Sequence, residues 1–65
     1  MDQGKLTIKA IRVNLNETQK EFADHIGLNL KTYQLKEQGK TQFTWNEINT
    51  ICEYAKVPIS LVKPM

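Results

Sequence analysis

The chain has 65 residues, a single Cys, a single His and a net charge of +2. A chain of this length makes one domain, 1–65, that buries only about 60% of the surface its unfolded form exposes. One Cys excludes an internal disulfide and argues against a cysteine-based metal site; no apolar run approaches the roughly 20 residues of a membrane span, so a reducing cytoplasm is the expected setting.

Taken in chain order, the first helix is predicted over Thr7 to Leu15, where Ile8, Ile11 and Leu15 recur at helical spacing and share a face. Asn16 tolerates a left-handed backbone and can stop it. Thr18 and Glu21 form a Thr-x-x-Glu capping box, so a second helix starts at Gln19 and runs to Ile26. Phe22, Ala23 and Ile26 lie on its inner face, and Gly27 ends it. Asn29 is a suitable N-cap for a third helix over Leu30 to Gln38, which Gly39 closes. Two short helices joined by a turn of about three residues match a helix-turn-helix over about 18–38, whose second helix reads the major groove of DNA.

A second capping box, Thr44-Trp-Asn-Glu47, starts the fourth helix, with Phe43 and Ile48 placed for a hydrophobic staple. Ile48, Ile51, Cys52 and Ala55 give that helix its buried stripe. Pro58 disfavours helix at Val57 and suits the first turn of a short fifth helix holding Ile59, Leu61 and Val62. The expected fold is an all-α, compact five-helix domain.

Net charge of this size says little about partners; its distribution says more. Lys31, Lys36 and Lys40 fall within ten residues of one another, in and just after the third helix, while Asp24, Glu47 and Glu53 lie elsewhere. Such a local basic face is a footprint for phosphate. The free N–H groups at the start of the second helix add a positive dipole end.

The order Thr18, Gln19, Glu21, Ala23, Ile26, Gly27, followed by Thr32, Tyr33, Glu37 and Gly39, resembles the Xre-type helix-turn-helix domain of phage repressors and Cro proteins. The resemblance runs from about Ile8 to Val62. It implies a lambda-repressor-like fold and a sequence-specific DNA-binding regulator that occupies operator half-sites. Arg12 and Glu37 match a buried pair that ties the first helix to the end of the third in relatives; the bland alternative is two separate surface charges. The resemblance sets Gln19, Lys40, Thr41 and Gln42 against the DNA backbone. It puts the reading positions on Leu30, Lys31 and Leu35, with Asn29 and Gln34 flanking. Lys31 has the chemistry for guanine, Gln34 for adenine and the leucines for thymine methyl groups. Thr32 supports the helix or meets a phosphate. The dimer patch of relatives falls on Val57, Ile59, Leu61 and Val62, the alternative being that these residues just close the core, and a homodimer on double-stranded operator DNA is expected, because one domain reads only a short half-site.

The chain departs from the family pattern at three places. Lys36 stands where an apolar residue is usual, so either the third helix is rotated and Leu35 enters the core, or the Lys36 stem packs while its amine reaches solvent. Glu17 takes a usually apolar spot, a gap that Leu15 can cover, and Asn16 replaces a common Gly. The remaining polar and aromatic residues suggest no chemistry. His25 reads as a surface or helix-end residue, Cys52 as core, Tyr33 as core with its hydroxyl near the surface, and Trp45 as packed on Phe43 or on a partner. No catalytic residues, metal, cofactor or small-molecule substrate are indicated, so an enzyme is not expected. The competing reading is a protein-interaction module on the same fold, such as an antitoxin or antirepressor-like partner, favoured by the apolar Leu30 and Leu35.

Overall fold

The structure, a computed structural model, describes residues 6–63. It is all-helical: α1 (Ile8–Asn14), α2 (Gln19–Ile26), α3 (Leu30–Glu37) and α4 (Trp45–Ala55) are followed by one 3-10 turn, Ile59–Leu61.

Both ends of every α-helix are held locally. Each begins after a residue whose side-chain oxygen accepts from a backbone N–H three residues on: Thr7 from Ala10, Thr18 from Glu21, Asn29 from Thr32 and Thr44 from Glu47. In α2 and α4 the bond is returned, because Glu21 and Glu47 accept from the cap's own N–H at 2.9 and 2.8 Å. Within two residues of its last helical residue each helix meets a left-handed backbone: Asn16 (φ 60°), Gly27 (83°), Gly39 (85°) and Lys56 (61°). The residue after each reaches back to a carbonyl five positions earlier, Glu17 to Arg12, Leu28 to Ala23, Lys40 to Leu35 and Val57 to Cys52, at 2.9–3.3 Å. These bonds satisfy terminal carbonyls that would otherwise lack partners.

Three boundaries differ from the sequence reading. Thr7 caps α1 from outside it, and Leu15 follows the last helical residue, where it is 36% exposed and does not join Ile8 and Ile11 inside. Gln38 caps α3 and is not part of it. The expected fifth helix is only a 3-10 turn. Pro58 is extended (ψ 139°) before it, and Val62 is extended (ψ 133°) after it because Val62 pairs with Leu6 in a parallel bridge. Leu6 N–H donates to the Leu61 carbonyl at 2.9 Å and Lys63 N–H to the Leu6 carbonyl at 2.8 Å. A pairing between residues so far apart in the chain leaves no local signal.

The core is Ile8 and Ile11 of α1; Phe22, Ala23 and Ile26 of α2; Tyr33 of α3; Phe43; Ile48, Ile51 and Cys52 of α4; and Val62. Tyr33 is its centre, edge-on to Phe22 at 5.6 Å between ring centroids and tilted against Phe43 at 6.1 Å. Phe43 and Ile48, the two staple residues, are both buried there. Burial pushes the Cys52 thiol above its ordinary pKa, as befits a residue that packs as a small apolar group. Among the described residues no helix is long and apolar enough to cross a membrane.

The left-handed positions allow a paired test. A Cβ at Gly27 would meet nothing within 4 Å, so Gly27→Ala carries only the backbone penalty of its φ, about 1–2 kcal/mol. Lys56 bears that strain already, so Lys56→Gly should stabilise by up to about 1 kcal/mol. Urea unfolding of both variants should give shifts of opposite sign; a loss of stability in Lys56→Gly would show that its side chain contributes more than its backbone costs.

Candidate nucleic-acid interface

Helix α3 has two unlike faces. Tyr33, Lys36 and Glu37 recur at three and four and point inward, whereas Lys31, Gln34, Leu35 and Gln38 share the opposite face by the same spacing. Glu37 organises the inner face. Arg12 grips its carboxylate from α1, with Nε 2.9 Å from Oε2 and Nη2 3.4 Å from Oε1. Tyr33 donates its hydroxyl to Oε2, and Gln19 Nε2 donates to Oε1 at 2.8 Å. The remaining guanidinium nitrogen of Arg12, Nη1, donates to the Glu17 carbonyl at 2.8 Å. The two charged side chains are 12% and 5% exposed, so these are not separate surface charges.

Burial by itself would raise the Glu37 carboxyl, but the hydrogen bonds from Arg12, Tyr33 and Gln19 outweigh it and hold the group below its ordinary value. The same carboxylate raises the Arg12 guanidinium, and burial together with the bond to Glu37 pushes the Tyr33 phenol upward. Tyr33 is fully buried, hydroxyl included in the network, which corrects the expectation that the hydroxyl lies near the surface.

This network absorbs two residues assigned to DNA. Gln34 Nε2 donates to Gln19 Oε1 at 3.0 Å, so a chain of amides runs from the outer face of α3 to Glu37. An ionised carboxylate only accepts, so Gln19 must turn its NH2 to Glu37 and its oxygen to Gln34. Gln19 keeps one N–H beyond that chain. Asn29 spends its side-chain oxygen on capping α3. Of the other expected contacts, Lys31, Lys40, Thr41 and Gln42 are exposed, Leu30 is 36% exposed, and Thr32, Gln34 and Leu35 are half-buried. Gln38, exposed on the same face seven residues after Lys31, extends that face, as its spacing alone implies. At 1.5 Å per residue the eight residues of α3 span about 12 Å, which places Lys31 and Lys40 at opposite ends of the helix.

The exchange of apolar and basic residues at Leu35-Lys36 has a definite outcome. Leu35 stays on the outer face and is not part of the core cluster. The Lys36 stem packs, with the side chain 11% exposed, and its amine is held by two partners. It binds Glu47 Oε1 at 2.7 Å and the Gln42 carbonyl at 3.2 Å. Burial would raise Glu47, yet Lys36 and the Thr44 cap hold it below the ordinary carboxylate value.

The Glu17 side chain makes polar contacts of its own. Its Oε1 lies 2.9 Å from His25 Nδ1, and its Oε2 accepts from the Tyr54 hydroxyl. That bond, with partial desolvation, pushes the Tyr54 phenol up to about 12. His25 thus joins Glu17 and Tyr54 across the α1–α2 loop, α2 and α4, a contact invisible at separations of 8 and 29 residues. Among the described residues no group of three or more His, Cys, Asp or Glu could hold a metal ion.

The C-terminal candidates divide. Val62 is 6% exposed and belongs to the core, not to a dimer surface; Val57 packs half-buried against that core. Ile59 and Leu61 are exposed at 38% and 42%. Trp45 is 65% exposed, so it does not lie buried beside Phe43. Compared with known proteins, the chain matches no family model, no curated protein and no solved structure.

Removing one partner of the Arg12–Glu37 pair leaves a buried charge without compensation, at a cost of about 3–5 kcal/mol. Thermal melts of Arg12→Met, Glu37→Leu and the double variant should show each single change destabilising strongly and the double change costing much less than their sum. Additive losses would dissolve the pair as an energetic unit.

The depressed carboxyls also fix a pH dependence. Glu17, Glu37 and Glu47 bind protons less readily in the folded chain than at their ordinary value of 4.5. Their stabilisation is complete above that value and is lost as pH falls through the lower folded values. Melting temperature should therefore hold from neutrality to roughly pH 5 and fall below it, less steeply in the Arg12→Met/Glu37→Leu variant. An equally steep fall in that variant would shift the acid sensitivity away from Glu37.

Proposed function

We propose that this chain is a sequence-specific DNA-binding regulator of the lambda-repressor-like class, working in the cytoplasm and occupying operator half-sites through α3. The observation that carries the reading is the division of α3. Its inner face is locked to α1 and α2 through Glu37, while Lys31, Gln34, Leu35 and Gln38 are turned the other way on a helix about as long as the major groove is wide. Lys31 supplies donors for base edges, Gln34 keeps its oxygen and one N–H beyond its bond to Gln19, and Leu35 and Leu30 offer apolar contact to thymine methyl groups. Lys40, Thr41 and Gln42, exposed beyond the C-terminal end of α3, provide phosphate contacts that set position and affinity without reading sequence. The protein is a binding domain and not an enzyme. Ile59 and Leu61, both exposed, are the side chains through which a second copy docks when two half-sites are filled.

A second reading has its own observation. Leu30 and Trp45 are exposed apolar side chains near the starts of α3 and α4, and such groups also suit a protein partner. The two readings separate by salt: phosphate binding weakens steeply as salt rises, whereas an apolar protein contact does not.

The deciding experiment is selection of bound sites from a random duplex pool, followed by affinities on single-base variants of the selected site. A palindromic motif is expected. Lys31→Ala should flatten the preference at one position and cost about 1–3 kcal/mol on the best site. Lys40→Ala should weaken all duplexes alike and lower the salt slope by roughly one. A pool that yields no motif, or a preference pattern untouched by Lys31→Ala, would count against α3 as the reading helix.

A further inference from the structure

Lys36 is a nearly buried cation to which neither the core nor the reading face of α3 assigns a role. An apolar residue would fill its inward position without the cost of desolvating a charge. The ammonium therefore has to be explained by what it holds.

It holds the segment between α3 and α4. That segment starts with Gly39 N–H on the Lys36 carbonyl at 3.1 Å and Lys40 and Thr41 N–H on the Leu35 carbonyl at 2.9 and 3.4 Å. It ends at Phe43, buried in the core, and Thr44, which caps α4. Between those anchors the Gln42 carbonyl is fixed by the Lys36 ammonium. The same ammonium sits on Glu47 Oε1, the oxygen that accepts from Thr44 N–H. One cation thus joins α3, the loop that carries the exposed Lys40, Thr41 and Gln42 side chains, and the first turn of α4.

We propose that Lys36 is a positioning residue for duplex phosphate: by tethering the Gln42 carbonyl and Glu47 it fixes the loop that presents Lys40 and Thr41 to the DNA backbone, without touching DNA itself. This rests on the DNA-binding reading given above. The reason is entropic. A loop held only at its two ends must be ordered at the moment of binding, and that ordering subtracts from affinity; a loop tethered in advance avoids the loss. Base reading belongs to Lys31 and Gln34 on the helix, so the tether acts on affinity and not on sequence preference.

The test uses Lys36→Met, which keeps an apolar stem and removes the cation, with Lys36→Gln as a second variant if the first does not fold. Far-UV circular dichroism and melting establish that the variant is folded. Its affinity for the selected duplex should then fall roughly tenfold, by the same factor on every single-base variant, and its salt slope should drop by about one as the Lys40 contact loses its register. Amide hydrogen exchange in residues 40–43 of the free protein should be faster than in the parent chain. A folded variant with unchanged affinity and salt slope overturns the proposal. So does a change in which base is preferred, because that would mean Lys36 acts through α3 and not through the loop. If the parent chain binds no duplex at all, the DNA reading falls and with it the positioning of phosphate contacts; faster exchange in Lys36→Met would still keep Lys36 as the tether of this loop, and unchanged exchange would remove that as well.

Discussion

Glu37 is the point on which the arrangement of α1, α2 and α3 depends. A small domain has few long-range contacts to spare, and the main helix packing runs between α2 and α3, α2 and α4, and α4 and the 3-10 turn. Helix α1 contributes two core isoleucines and little else apolar. What fixes its angle against the others is Arg12, whose guanidinium meets Glu37 through two nitrogens and the α1–α2 loop through a third. Because Gln19 and Tyr33 satisfy the same carboxylate, moving any one of these elements breaks bonds made by the others. Buried ionic groups of this kind contribute more to one defined geometry than to net stability.

The second ionic link works on a different part of the molecule. Lys36–Glu47 connects α3 to α4 on the far side of the same helix turn, so α3 is pinned to its neighbours by two adjacent residues of opposite charge. A helix of eight residues is too short to be stable alone in water. Its inner face is polar at two of three positions, and its own apolar burial is chiefly Tyr33. Polar pinning on one side leaves the opposite side chains free of structural duty, with Gln34 the exception because its amide is tied to Gln19.

The helix starts were legible because their determinants are local. Thr18 with Glu21 and Thr44 with Glu47 are three residues apart, and each pair forms both of its bonds in the structure. Gly27 and Gly39 announced their left-handed turns; Lys56, with the same backbone, could not, since nothing in a lysine signals a positive φ. The interior stripe of α4 followed from spacing alone. What sequence could not supply were partners brought together by folding: Lys36 with Glu47, Glu17 with Tyr54 at a separation of 37 residues, and Leu6 with Val62. The bridge misled most, because it turned an apolar tail that reads as helix into one 3-10 turn and drew Val62 inside. On the outer face of α3 and in the loop after it, exposure of Lys31 and Lys40 is consistent with their spacing, whereas the internal duty of Gln19 emerged only from geometry.

The bridge between Leu6 and Val62 also has a mechanical meaning. The two segments run parallel, so tension applied through the chain on either side of the domain pulls them past each other, along their own direction. Both hydrogen bonds of the bridge then bear the load together and do not open one after the other. Force arriving along the polypeptide meets this clasp before it reaches α1 or the Glu37 network, and the helices are shielded until it yields.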